Sequence, residues 1–199
     1  MAPLRLASFS EKIILPVICP SAGKKITDNP SYRNYYPDAG TNKIVYREGI
    51  FVGYRGYEHN HVEPQYPFGF GLSYTTFSFS KLKSTSSADG HLTVTCDVTN
   101  TGSRLGATVA QLYVGQASAT VERPAKELKG FERIALQPGE TGHISFSLDP
   151  RSFSYFDVKS SSWRADAGAY DLTLGDSSQD NQQKITVQLE KSLTSSVSD

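Results

Sequence analysis

The sequence is short of the features that announce an activity. It has two cysteines, one methionine and one tryptophan in 199 residues. Two cysteines make at most one pair, which is no disulfide framework. Cys96 lies among alternating apolar residues and reads as a buried free thiol, with a disulfide to Cys19 as the alternative. No run approaches the roughly 18 apolar residues that cross a bilayer, so no membrane partner is expected. Charge of one sign is missing too: 20 Lys and Arg balance 20 Asp and Glu. That excludes the cationic surface a nucleic-acid binder needs to displace counterions. No Asn-x-Ser/Thr acceptor occurs, since Pro30 disqualifies Asn29-Pro30-Ser31. The N-terminal MAPLRLASFSEKIILPVICPSAG mimics a secretion signal poorly, because Glu11 and Lys12 interrupt the apolar build-up. The compartment is left open between secreted and cytoplasmic. Catalytic motifs are equally scarce, with neither a Gly-x-Ser-x-Gly elbow nor a Cys/His pairing.

What is present is 38% hydrophobic residues, enough for a core, and a change of pattern near Phe77. Before it the chain is rich in Pro, Gly and Tyr, with eight of the 11 tyrosines between Tyr32 and Tyr74. After it short alternating runs recur. Leu92, Val94, Cys96 and Val98 share one face, with Thr93, Thr95, Asp97 and Thr99 on the other, the period of a half-buried strand. Similar runs cover 77–82, 107–114, 128–136, 144–148, 153–158, 170–174 and 184–190, with a bulge expected at Gly130. Asn100-Thr101-Gly102 and Pro138-Gly139 read as turns. Strands this short and evenly spaced, without a helical period, predict an all-β, immunoglobulin- or fibronectin type III-like sandwich of about seven strands. Each sheet is expected to bury one face and wet the other. Tyr170, just after Gly168, suits a tyrosine corner.

Candidate site residues are few, and each has a plain structural reading. Glu48 could act as an acid, but a carboxylate fixing a turn and pairing with Arg47 or Arg55 is favoured. His59, His61 and Glu63 alternate as on one face of a strand and could hold a metal. An exposed loop is the favoured reading, since no second shell is evident. His91 and His143, at strand starts, are expected on the surface. Gly69-Phe70-Gly71-Leu72-Ser73 lacks the lysine of a phosphate loop, so its glycines are read as a sharp turn. The Tyr and Phe residues before Phe77 could stack on sugars, but an interdomain interface is favoured. Trp163 is expected in a loop covering a sandwich edge.

Ordered motifs carry a resemblance. KITDNPSY (25–32), VYREGIFVGYRGYE (45–58) and EPQYPFGFGLSYTTF (63–77) resemble the junction found in glycoside hydrolase family 3, particularly fungal β-glucosidases. AQLYVG (110–115), RPAKELKGFERIALQPGET (123–141) and AGAYDLTLGDSS (167–178) resemble the fibronectin type III-like domain that follows it there. The resemblance implies a remnant of the α/β sandwich domain with the interdomain linker over 23–76 and the fibronectin type III-like domain over 77–191; it does not reach the segment 1–22, which is unassigned, and the Ser-rich tail over 192–199 is expected to be disordered. It also implies that residues 23–76 hold a strand belonging to another sheet. A complete member carries an upstream barrel with the aspartate nucleophile and an α/β domain with the glutamate acid/base, and neither motif occurs here. Retaining hydrolysis needs two carboxyls about 5–5.5 Å apart. The expectation is therefore a C-terminal fragment with no catalytic, cofactor-binding or metal-binding residues of its own. Its parent would hydrolyse terminal non-reducing β-D-glucosyl residues without a cofactor, and its partners would be the catalytic domains. A non-catalytic carbohydrate- or protein-binding module is the alternative.

Overall fold

The structure, a computed structural model, describes residues 23–34, 36–87 and 91–196. The alternating runs form strands β1 (Phe77–Ser86), β2 (Leu92–Asn100), β3 (Gly106–Gln116), β4 (Glu127–Leu136), β5 (Thr141–Leu148), β6 (Tyr155–Asp157), β7 (Ser162–Ala165), β8 (Gly168–Gly175), β9 (Gln183–Leu189) and β10 (Leu193–Ser195). Seven of them make the sandwich. One sheet has the order β1-β2-β5 and the other β4-β3-β8-β9, with every pair antiparallel. The all-β sandwich of about seven strands is thus what the chain adopts. A third small sheet, β10-β7-β6, closes one side. It places Trp163 in a strand, where a loop was expected. It also gives Leu193–Ser195 a partner in β7, where a frayed tail was expected from Ser192.

Facing side chains fill the space between the sheets. Phe79, Leu82, Val94, Cys96, Val98, Ile144 and Phe146 meet Ala110, Leu112, Val114, Tyr170, Leu172 and Leu174. Cys96 is a free, buried thiol, and Cys19 lies outside the described residues. In β4 the bulge falls beside Gly130: Leu112 pairs with Gly130 and Tyr113 with Leu128, skipping Lys129. A Cβ on Gly130 would lie 2.8 Å from the Phe146 ring, which accounts for glycine there. The tyrosine corner is formed: the buried Tyr170 hydroxyl donates to the Asp166 carbonyl at 2.8 Å.

One expectation about the faces needs correcting. In the β4-β3-β8-β9 sheet the central strand β3 is covered on both sides, so Ala110 to Gly115 form an unbroken buried run. The second cover is the segment before Phe77. It holds two single-turn 3₁₀ helices (Ile26–Asp28 and Tyr32–Asn34), the helix α1 (Tyr54–His59) and no strand within its described residues. The expected foreign strand is absent because Val45 to Val52 turn back on themselves, with Gly49 N–H donating to Tyr46 C=O and Phe51 N–H to Glu48 C=O.

Candidate functional site

The chemistry-bearing side chains gather where the N-terminal segment meets the outer face of β3 and β4. Gly53, at φ 57°, turns the chain into α1. The helix lays Tyr54 and Arg55 on β4 and Glu58 just before it. Leu128 N–H donates to the Tyr54 hydroxyl at 2.9 Å, Arg55 pairs with Glu127 at 3.3 Å and Lys126 with Glu58 at 3.1 Å. Tyr54 meets Tyr113 edge-on with ring centres 5.8 Å apart, and Phe68 tilts onto Tyr54 at 5.6 Å. Glu127 is the hub, because Arg123 at 3.2 Å and Lys129 at 3.6 Å also reach it. Arg123 is almost fully enclosed and also donates to the carbonyls of Phe153 and Ser154. Burial pushes the Lys129 ammonium below its usual range, with Glu127 opposing the shift. Burial likewise pushes the Glu58 carboxyl up, against Lys126.

The following turn, 67–70, is gripped by the β8–β9 loop. Ser178 N–H donates to Phe68 C=O at 2.8 Å, and Gln111 Nε2 donates to Asp176 C=O at 2.7 Å. Gly69 has φ 89°, and any Cβ there would strike the Gln111 side chain. Asn100 ties the end of the linker. Fully buried, it accepts from Thr75 Oγ1 at 2.6 Å and donates to the carbonyls of Arg104 and Leu136.

Beside this seam runs an open groove of about 650 Å³, floored by Phe68, Phe77, Val109 and Leu128 and bordered by Leu72, Phe131, Arg133 and Asp176. Its size suits a small ligand, and Phe131 offers an exposed ring. Two acids, Asp176 and Glu132, border it. They do not face each other. Glu132 is in register with Ala110, whose side chain is in the core, so it shares the core-side face of an edge strand. Asp176 sits on the outer side against Gln111. Burial and the adjoining Asp180 carboxyl push the Asp176 carboxyl up to about 6.

The residues singled out from sequence fall elsewhere. Glu48 does hold a turn, but by different partners: it accepts from Ser31 Oγ at 3.0 Å and from Asn34 Nδ2. Those bonds, with its own backbone N–H first, keep its carboxyl below the usual range. Arg47 pairs instead with Asp38 at 2.7 Å and Arg55 with Glu127. His59 ends a helix rather than lying on a strand, and stacks on Phe51 at 3.9 Å between ring centres. Glu63 pairs with Lys24 at 2.8 Å. Among the described residues no three His, Cys, Asp or Glu gather as a metal site would need. His143 is on the surface, with its Nδ1 against Asp97. Trp163 packs edge-on against Phe156, with Arg151 4.2 Å over its ring. Tyr54, Tyr57 and Phe68 turn inward, while Tyr36, Tyr46, Leu72 and Tyr74 stand out to solvent. Glu127, Arg123, Gln111 and Asn100 were not legible as site residues. Their only sequence signal is a polar residue within or beside a strand whose pattern asks for an apolar one.

Comparison with known proteins places this architecture. Residues 108–178 match the fibronectin type III-like domain. The chain is 44% identical over 180 residues to a β-glucosidase of Rhizobium radiobacter, covering 88% of this chain and 22% of that protein. It is 38% identical over 186 residues to β-glucosidase B of Emericella nidulans, with the same coverage of each. Among solved structures it superposes on a GH3 β-glucosidase of Bifidobacterium adolescentis with TM-score 0.81 at 38% identity, covering 85% of this chain and 25% of that one. A β-glucosidase of Thermotoga neapolitana in complex with α-D-glucose gives TM-score 0.82 at 34% identity, covering 89% of this chain and 25% of that one. The chain spans about a fifth to a quarter of the length of these relatives. Its likeness is to the C-terminal part of glycoside hydrolase family 3 β-glucosidases, bacterial as well as fungal.

Proposed function

We propose, from that likeness, that this chain serves as the C-terminal structural part of a β-glucosidase-like enzyme that hydrolyses terminal non-reducing β-D-glucosyl residues with retention. The opposed acids of that reaction belong to catalytic domains on which the chain docks. In this reading residues 23–76 are the interdomain remnant and linker, and 77–191 the fibronectin type III-like domain. The chain by itself contributes no catalytic, cofactor-binding or metal-binding residue.

One observation carries the docking. Residues 23–76 are folded by specific bonds, yet leave Ile26, Tyr36, Ile44, Tyr46, Ile50, Val52, Leu72 and Tyr74 exposed. Large apolar side chains left exposed in this number support an interaction surface there. The test is complementation. The Rhizobium radiobacter enzyme, truncated of the part matched here, is mixed with this chain and assayed on an aryl β-glucoside. The chain alone should release no nitrophenol, and the mixture should form a complex and regain hydrolysis. Activity of the lone chain, or no association with a folded truncated enzyme, would refute the reading.

The groove bordered by Phe131 and Arg133 supports a second reading, a non-catalytic module binding a glycan or protein. Titration with cello- or laminari-oligosaccharides, following backbone resonances of Phe131 and Leu72, separates the two. Trp163 is unsuited as a reporter, since it lies in the small sheet.

A further inference from the structure

Three cations converge on one carboxylate where α1 meets β4. Arg55 Nη2 lies 3.3 Å from Glu127 Oε1, while Arg123 Nη2 and Lys129 Nζ lie 3.2 Å and 3.6 Å from Glu127 Oε2. Among the described residues no second carboxylate stands within ion-pair distance of any of the three. Glu127 cancels one charge, so the cluster keeps an excess of two positive charges. Lys126 is not part of it, because it pairs with Glu58 at 3.1 Å and donates to Asn181 Oδ1 at 3.0 Å.

The three differ in the donors they still have to offer. Arg123 is spent: its Nη1 donates to Gln116 Oε1 and the Phe153 carbonyl, and its Nη2 to Glu127 and the Ser154 carbonyl. Arg55 and Lys129 have no acceptor besides Glu127 among the described residues. A guanidinium carries five N–H donors and an ammonium three, so most of theirs are open. Both side chains reach solvent, at 31% and 20% exposure. Each stands within 3.6 Å of the same carboxylate, so they are close enough for one further oxyanion to accept from both.

We propose that Arg55 and Lys129 form a binding site for a small dianionic oxyanion of the sulfate or phosphate type, held beside Glu127 at the seam of linker and sandwich. The charge class follows from the excess: a dianion balances two positive charges, whereas a monocarboxylate balances one. The planar guanidinium binds two oxygens of a tetrahedral anion side by side, and the ammonium adds a point charge. Glu127 repels the anion but is outnumbered by the cations around it. Burial, and after it Arg123 and Arg55, pull the Lys129 ammonium below its usual range against Glu127, and a bound anion acts in the opposite direction.

The test titrates the whole chain with sodium sulfate at pH 7, with sodium chloride holding the ionic strength constant, and follows NMR resonances. The Arg55 Nε–H and the Lys129 amide should shift saturably, while the Thr93 amide in the other sheet stays in place. Sodium acetate at the same ionic strength should bind about tenfold more weakly. Arg55→Gln and Lys129→Gln each remove one charge-assisted partner and should weaken sulfate binding about tenfold. Lys129→Gln also removes one of three like charges, so it carries the test if Arg55→Gln fails to fold. No saturation by about 50 mM sulfate, acetate bound as tightly as sulfate, or a folded variant that binds like the parent chain would overturn the proposal.

Discussion

Removing the Glu127 carboxylate tests whether the linker and sandwich share one electrostatic hub. Glu127 lies 3.3 Å from Arg55, 3.2 Å from Arg123 and 3.6 Å from Lys129. Unit charges about 3.3 Å apart attract by about 5 kcal/mol at an effective dielectric constant of 20, before the desolvation that offsets much of it. Breaking a buried pair by deleting one partner costs about 3–5 kcal/mol, because the other charge is stranded. Two features place Glu127→Ala at the low end of that range. Arg123 keeps the Phe153 carbonyl at 3.0 Å and Gln116 Oε1 at 3.3 Å. Arg55 is 31% exposed and can turn to water. The charge stranded most completely is Lys129, already pushed down by burial. The expected loss is about 3 kcal/mol, or roughly 9 °C in Tm at about 3 °C per kcal/mol for a chain of this size. Thermal unfolding followed by far-UV circular dichroism measures it. Glu127→Gln, which keeps the volume and removes the charge, should lose a comparable amount. A double-mutant cycle with Arg55→Ala should give a coupling of no more than about 1 kcal/mol, since that pair is partly exposed. A shift under 2 °C for Glu127→Ala would refute the hub, showing that the three cations find other partners.

Three further outcomes are expected. Tyr170→Phe strands the buried Asp166 carbonyl and should cost about 1–3 kcal/mol in urea unfolding; a loss below 0.5 kcal/mol, by the same order-of-magnitude scale, would mean the corner is not stabilising. Burial pushes the Cys96 thiol up to about 12, so the native chain should not react with a thiol-specific disulfide reagent at pH 8, whereas the urea-unfolded chain should react at once. The Asp166 carboxyl is held below its usual range by Thr120 and then Arg164. Its contribution is present above the unfolded value and is lost as pH falls through the lower folded value, so Asp166→Asn should flatten the acid side of the Tm–pH curve.

The sandwich was legible because its information is local. Val94, Cys96 and Val98 alternate with Thr93, Thr95 and Asp97, and a period of two admits only a strand with one buried face. Gly130 and Tyr170 were readable for a related reason, since a bulge and a corner each demand one residue type at one place. The N-terminal segment was not readable in this way. Val45, Ile50, Phe51 and Val52 carry strand-like residues, yet the chain turns there, with Gly49 N–H donating to Tyr46 C=O and Phe51 N–H to Glu48 C=O, and pairs with no sheet edge among the described residues.

By itself, then, the sequence determined the class of fold, the strand boundaries within a few residues and the likeness to a family. Only the tertiary structure decided that Tyr54 and Arg55 land on β4 with Glu58 beside it, that β3 is covered on both faces, and that Glu127 and Asn100 become hubs. Arg55 and Glu127, Glu58 and Lys126, and Asn100 and Leu136 are separated in the chain by tens of residues, and their energies depend on burial and distance. Neither quantity exists until the sheet and the linker are brought together.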